Sequence, residues 1–141
     1  MTQSPAPYLF VYGTLLADFT NEFASLLKTH SKFVGKGFFF GNLYDFGDYP
    51  GAKMDPKGEG KVIGQVFKIR DPEKILPELD SYEGIGEQFP APHEYKRELI
   101  PIEMEDNQVI DCWVYLYNWK ATGRKKVRSG NYPDYLSDRK P

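Results

Sequence analysis

The segment Tyr8-Leu9-Phe10-Val11-Tyr12-Gly13-Thr14-Leu15-Leu16 begins with five apolar or aromatic residues and breaks at a glycine. A run that short and that unbroken reads as a buried strand covered on both faces, with Gly13 as its exit. A helix follows: Thr20 is placed to cap it, and Phe23, Leu26, Leu27 and His30 recur on one face at helical spacing. Residues 33–46 are aromatic-rich with glycines at 35, 37 and 41, the pattern of a strand that bends or is closely approached by other backbone. Gly47 to Gly51 and Asp55 to Gly60 are turn chemistry, and 61–69 alternates as a strand.

Asp71-Pro72 is a helix start, with Asp71 as N-cap and proline in the first turn. Pro77 repeats that signal, so one turn, a break and a second short helix ending at Glu83-Gly84 are expected, with Gly84 as the terminating glycine. Residues 95–104 and 109–119 read as a hairpin across Glu105-Asp106-Asn107-Gln108. Strands dominate and helices are few. That order predicts an α+β domain with a strongly curved or closed sheet, spanning 8–141 behind a loose tail at 1–7.

Bulk properties bound the function. The 141 residues fit one domain, and 40% apolar residues with 10 Tyr and 10 Phe fill one core. With 18 basic and 20 acidic residues the net charge is −2, which supplies no field for nucleic acid or an anionic membrane. The basic cluster Lys120, Arg124, Lys125, Lys126 and Arg128 reads as a solvated face. Cys112 is the only cysteine and sits inside an apolar strand, so a reducing, cytoplasmic setting is expected and Cys112 reads as core. The N-terminus carries no basic residue for a signal peptide. Two distant histidines, His30 and His93, give no metal-ligand spacing and no His-based nucleophile system.

Two short pieces remain. The turn Tyr12 to Leu16 leaves backbone N–H groups free at the end of a strand, where they can meet a polarised or anionic oxygen. In Leu79-Asp80-Ser81-Tyr82-Glu83-Gly84, Glu83 stands in the last helical turn. The carbonyls of that turn, and partial burial among Tyr82 and other aromatics, both disfavour its charged form and push its pKa up. A carboxyl poised near neutrality can take a proton and return it.

These pieces and their surroundings resemble the γ-glutamylcyclotransferase-like family. The likeness runs through Tyr12-Gly13-Thr14-Leu15, Gly41 to Asp45, Gly47 to Gly51, Val62 to Phe67, Leu79 to Gly84 and Tyr95-Lys96-Arg97. Farther on, Ser129-Gly130-Asn131-Tyr132 looks like the family's Ser-Gly-Asp-Trp, with Asn131 in place of the acid and Tyr132 in place of the indole, at one end of the pocket. The resemblance implies a small twisted β-barrel and a pocket lined by the turn at Tyr12, Gly13, Thr14 and Leu15. It implies Glu83 as acid–base residue in closing a γ-glutamyl amide to 5-oxoproline, with no cofactor and no metal. Tyr44, Tyr49 and Tyr117 are candidate walls or hydrogen-bond donors, and the small-molecule γ-glutamyl substrate is the expected partner. The leaving amine stays open. A pocket kept for binding alone, to a small ligand or a protein, is the competing reading.

Overall fold

A computed structural model describes residues 6–13, 22–47 and 49–139. Thr14, Leu15, the Thr20 cap and Asp48 lie outside the described residues. The elements are β1 (Tyr8–Val11), α1 (Glu22–Thr29), β2 (Ser31–Asp45), β3 (Pro50–Met54), β4 (Lys61–Ile69), α2 (Pro72–Tyr82), β5 (Tyr95–Met104), β6 (Val109–Tyr117), β7 (Lys125–Lys126) and α3 (Tyr132–Arg139).

Five strands close into a mixed barrel. β1 pairs antiparallel with β4 and parallel with β6; β6 pairs with β5; β4 pairs with β2. The seam closes where β2 meets β5, with Gly37 opposite Met104 and Phe38 opposite Glu103. Gly37 permits that closure: a Cβ there would stand 2.7 Å from Ile102 Cγ2 and 2.8 Å from the Glu103 carbonyl. Past the seam, β2 continues as the centre of a second small sheet, pairing β3 through residues 41–45 and β7 through Tyr44 and Asp45. The aromatic, glycine-rich strand is therefore long because it belongs to two sheets.

Period-two alternation divides the core into two layers. Phe10, Tyr12, Val62, Val66, Cys112, Val114 and Leu116 fill the barrel. Leu9, Val11, Phe67, Ile69, Tyr115 and Tyr117 face outward and pack under α1 and α2, through Phe23, Leu27, Ile75, Leu76 and Leu79. That double cover is the reason β1 carries no polar residue. Cys112 is buried, and burial pushes its thiol up to about 12. No helix among the described residues is long and apolar enough to cross a membrane.

Three expectations need correction. Pro77 does not break the helix; α2 runs unbroken from Pro72 to Tyr82. Pro77 and Glu73 are exposed, so water can reach the carbonyl that loses its donor, while Ile75, Leu76 and Leu79 bury the opposite face. Asp71 caps α2 through its main chain alone: it adopts φ 57° and ψ 57°, its side chain makes no cap bond, and its carbonyl accepts from Lys74 and Ile75 N–H at 3.1 Å. The tail from residue 120 holds two unforeseen elements, β7 and α3, the latter started by Asn131, whose Oδ1 accepts from Asp134 N–H at 3.1 Å.

α2 is fixed to the barrel by charge. Arg97 on β5 makes a two-pronged contact with Asp80, Nε to Oδ1 at 2.7 Å and Nη2 to Oδ2 at 3.1 Å, and Tyr115 on β6 donates to Oδ1 at 2.8 Å. The guanidinium also lies 4.5 Å from the Trp113 ring centroid. Both partners are largely withdrawn from solvent, at 21% and 16% side-chain exposure, so removing one strands the other. Arg97→Met is expected to cost about 2–3 kcal/mol of stability, read by urea unfolding, whereas a loss under about 0.5 kcal/mol would show the pair to be incidental.

Candidate functional site

Glu83 owes its position to the way α2 ends. Gly84 takes φ +75°, its N–H reaches the Ser81 carbonyl at 3.2 Å, and Ile85 N–H reaches back to Asp80 at 3.0 Å. This paired ending needs a left-handed residue that glycine alone adopts at no steric cost. Ile85 then packs against the layer that contains Leu79. Glu83, at φ −91° and ψ 5°, is the last residue before the chain reverses, and its side chain is aimed back toward the end of β1.

There it lines a cavity of about 60 Å³ together with Phe10, Val11, Tyr12, Gly13, Tyr49, Pro50, Tyr95 and Tyr115. At about 10–15 Å³ per water, that space admits only a handful of non-hydrogen atoms, suiting a small metabolite and excluding a polymer. The walls are aromatic faces, because most of the hydroxyls are engaged elsewhere. Tyr12 donates to the Tyr115 carbonyl and accepts from Ala52 N–H at 3.2 Å. Tyr95 donates to the Pro50 carbonyl at 2.6 Å, Tyr115 to Asp80, and Tyr49 to Glu94. Burial raises Tyr12, Tyr95 and Tyr115 far above the ordinary phenol range, so they stay neutral.

Among the described residues nothing hydrogen-bonds the Glu83 carboxyl. Its pKa rises from 4.5 to about 7, first through burial, then through the negative charges of Glu94 and Asp80. Burial among aromatics, expected beside the helix-end carbonyls, is thus the leading cause. Tyr82 plays no part in burying it: that residue is 52% exposed, its hydroxyl on Glu22 at 3.3 Å.

The structure thus gathers Tyr12, Gly13, Tyr49 and Glu83 around one cavity. Tyr117 stands behind it, stacked on Phe46 with centroids 3.9 Å apart and edge-on to Tyr95 at 5.5 Å. Tyr44 does not line the cavity; it pairs with Gly51 and Lys126 in the second small sheet. Tyr132, expected at an end of the pocket, is instead 1% exposed inside the barrel core. Sequence reasoning passed over Tyr95 and Tyr115 as pocket walls, although they follow from pairing. Tyr95 faces Tyr117 and Arg97 faces Tyr115 in the hairpin register, so one sheet face carries all four. Glu94, in a proline-rich loop, offered no local signal. Among the described residues no three His, Cys, Asp or Glu converge as metal ligands would.

The arrangement offers a partly desolvated acid facing the end of a strand, inside an aromatic enclosure, with no partner hydrogen-bonded to its carboxyl among the described residues. It can exchange a proton with a small bound molecule near neutral pH.

A family model described as "Gamma-glutamyl cyclotransferase, AIG2-like" matches residues 9–134. Among curated proteins, the gamma-glutamylcyclotransferase family protein YtfP of Shigella flexneri is 33% identical over 128 residues, covering 89% of this chain and 96% of that protein. The solution structure of ytfP from Escherichia coli superposes with a TM-score of 0.64 at 29% identity, covering 92% of this chain and 98% of the other. The crystal structure of an AIG2-like protein from Mus musculus gives 0.64 at 25% identity, covering 82% and 80%. A family match over nearly the whole barrel, with the acid and the strand-end turn inside the matched span, identifies the chain as a member of the gamma-glutamyl cyclotransferase, AIG2-like family.

Proposed function

We propose that the protein converts a γ-glutamyl amide to 5-oxoproline and a free amine, with Glu83 as general base and then general acid. The observation that carries this reading is the Glu83 carboxyl, raised to about 7 beside Gly13 in the cavity and without a hydrogen-bond partner among the described residues. Family membership supports the same chemistry.

The α-amine and γ-carbonyl of the substrate belong to one molecule, so folding the chain back brings them together. Such alignment can supply on the order of 7–11 kcal/mol of the barrier. The α-nitrogen bonds to the γ-carbonyl carbon, closing a five-membered ring, and the bond from that carbon to the amide nitrogen breaks. The α-ammonium gives up two protons in becoming the lactam N–H, and the leaving nitrogen gains two in becoming an ammonium. Glu83 can carry each in turn. The aromatic walls exclude water, and the neutral tyrosines offer no competing proton donor. Backbone N–H groups of the turn at Gly13, Thr14 and Leu15 would bind the substrate carboxylate or the developing oxyanion.

Glu83→Gln keeps the shape and removes the shuttle. Release of 5-oxoproline from a panel of γ-glutamyl amides, followed by mass spectrometry, should drop by about 10²–10⁴ while the fold survives. Retention of activity within a few fold would refute the assignment, and no product from any member of the panel would refute the activity.

Glu83 must be ionised to act as base, so the acid limb of kcat/KM should break near 7, where an ordinary glutamate would break near 4.5. The same shift acts on stability with a definite sign. A carboxyl whose folded pKa is raised resists ionisation, so the native state loses stability as pH climbs from about 4.5 through about 7. Thermal melts of wild type and Glu83→Gln should therefore diverge over that window, the variant becoming relatively more stable at higher pH. Parallel curves across it would contradict the raised value.

A further inference from the structure

Glu94 lies one residue before the pocket residue Tyr95 and is half-buried among rings. Tyr49 donates its hydroxyl to the Glu94 carboxylate, and the bond pushes Tyr49 up to about 12. Burial, and then the charge of the same carboxylate, raise the Tyr117 phenol as well. Phe46 stacks on Tyr49 and Tyr117, and Tyr49 lies 6.2 Å from Tyr95. The segment that bears Glu94 is pinned to the end of β6. Asn118 N–H donates to the Glu94 carbonyl at 2.7 Å, Asn118 Nδ2 to His93 at 2.9 Å, and Trp119 Nε1 to Pro92 at 2.9 Å.

The cluster carries one carboxylate, and Lys53 stands near it, its Nζ 6.0 Å from the Tyr117 centroid. Among the described residues no lysine, arginine or histidine ion-pairs with Glu94; the ion pairs are Lys96 with Glu98 and Arg97 with Asp80. Arg124 comes nearest in effect. Its guanidinium sits 5.4 Å from the Phe46 centroid, on the outer side of the stack, and its charge opposes the rise at Tyr49 and Tyr117 without pairing with the acid. A carboxylate that accepts from one phenol and stands among ring faces can receive a cation: opposite charges attract, and the rings add their own pull.

The cluster adjoins the cavity. Tyr49 both lines the cavity and holds Glu94, and the Glu94 charge reaches Glu83. A substrate whose γ-carbonyl is near Glu83 must project its amine substituent out of so small a cavity. We infer that Glu94, held by Tyr49, is the subsite that binds a positively charged group on the amine released from the γ-position. This rests on the cyclotransferase reading above. It makes Glu94 a specificity-determining residue: a cationic substituent gains an ion pair, a neutral one gains contact only, and an anionic one is repelled.

The test compares γ-glutamyl conjugates of diaminobutane, pentylamine and aminobutyrate, which differ at the far end of the amine as cation, neutral group and anion. Wild type should prefer the diaminobutane conjugate over the pentylamine conjugate by about tenfold or more in kcat/KM. In Glu94→Gln that ratio should collapse toward one, and the aminobutyrate conjugate should improve relative to the other two. The ratio cancels any effect of Glu94 on Glu83 that is common to all substrates. Tyr49→Phe keeps the ring and removes the hydroxyl, and should lower the ratio partway; circular dichroism checks that both variants fold. A wild-type ratio near one, or a ratio that Glu94→Gln leaves unchanged, overturns the inference. If no conjugate yields 5-oxoproline, the cyclotransferase reading fails, and calorimetric binding of the same conjugates decides the subsite. A preference for the charged substituent that Glu94→Gln abolishes sustains it, and equal binding overturns it.

Discussion

The two-pronged contact between Arg97 and Asp80, with Tyr115 donating to the same carboxylate, fixes where α2 ends. Everything at the site is measured from that anchor. Asp80 is three residues before Glu83, and the paired ending through Gly84 and Ile85 leaves Glu83 no freedom to drift along the helix axis. The Asp80 charge still reaches Glu83 despite its pairing with Arg97, and is the last of the three causes that raise it.

Burial, more than any neighbour, raises Glu83, and burial here means aromatic rings with committed hydroxyls. Tyr12 is the most economical of them: its ring walls the cavity while its hydroxyl ties β6, through the Tyr115 carbonyl, to β3, through Ala52. A phenylalanine would line the same space and leave both backbone groups short of a partner. The tyrosine-rich composition therefore reflects a second demand besides packing: Tyr12 and Tyr95 satisfy backbone groups at the barrel end, and Tyr49 and Tyr115 bind carboxylates there.

The sequence made the barrel half-legible. β1 was readable because a strand covered on both faces has no polar residue, and the β5–β6 hairpin because its turn residues and alternation are local. Which strands close the seam was not readable, since Gly37 meets Met104 across 67 residues and nothing local marks the pairing. β3 was read as the tail of a turn because Pro50 and Gly51 are turn residues; long-range pairing with β2 overrides that preference. At the site, Glu83 was legible from its place before Gly84 and its burial among aromatics was expected, but which rings bury it was not, because that depends on residues 10–13 and 95–115 folding over it. Tyr132 misled for the same reason: a local motif cannot say which side of a barrel wall it will occupy.

β2 has one more implication. Its 15 residues serve the barrel at one end and the β3–β7 sheet at the other, and β3 supplies the Pro50 wall and the Ala52 amide that Tyr12 uses. The wall and the barrel are thus one cooperative unit, sharing a single rigid spine. Swinging β3 outward to admit a molecule would tear ladder bonds from the same strand that closes the barrel. Access to the cavity must therefore be gained without hinging that side, and the amides of residues 51–54 should be as slow to exchange with solvent as those of the barrel itself.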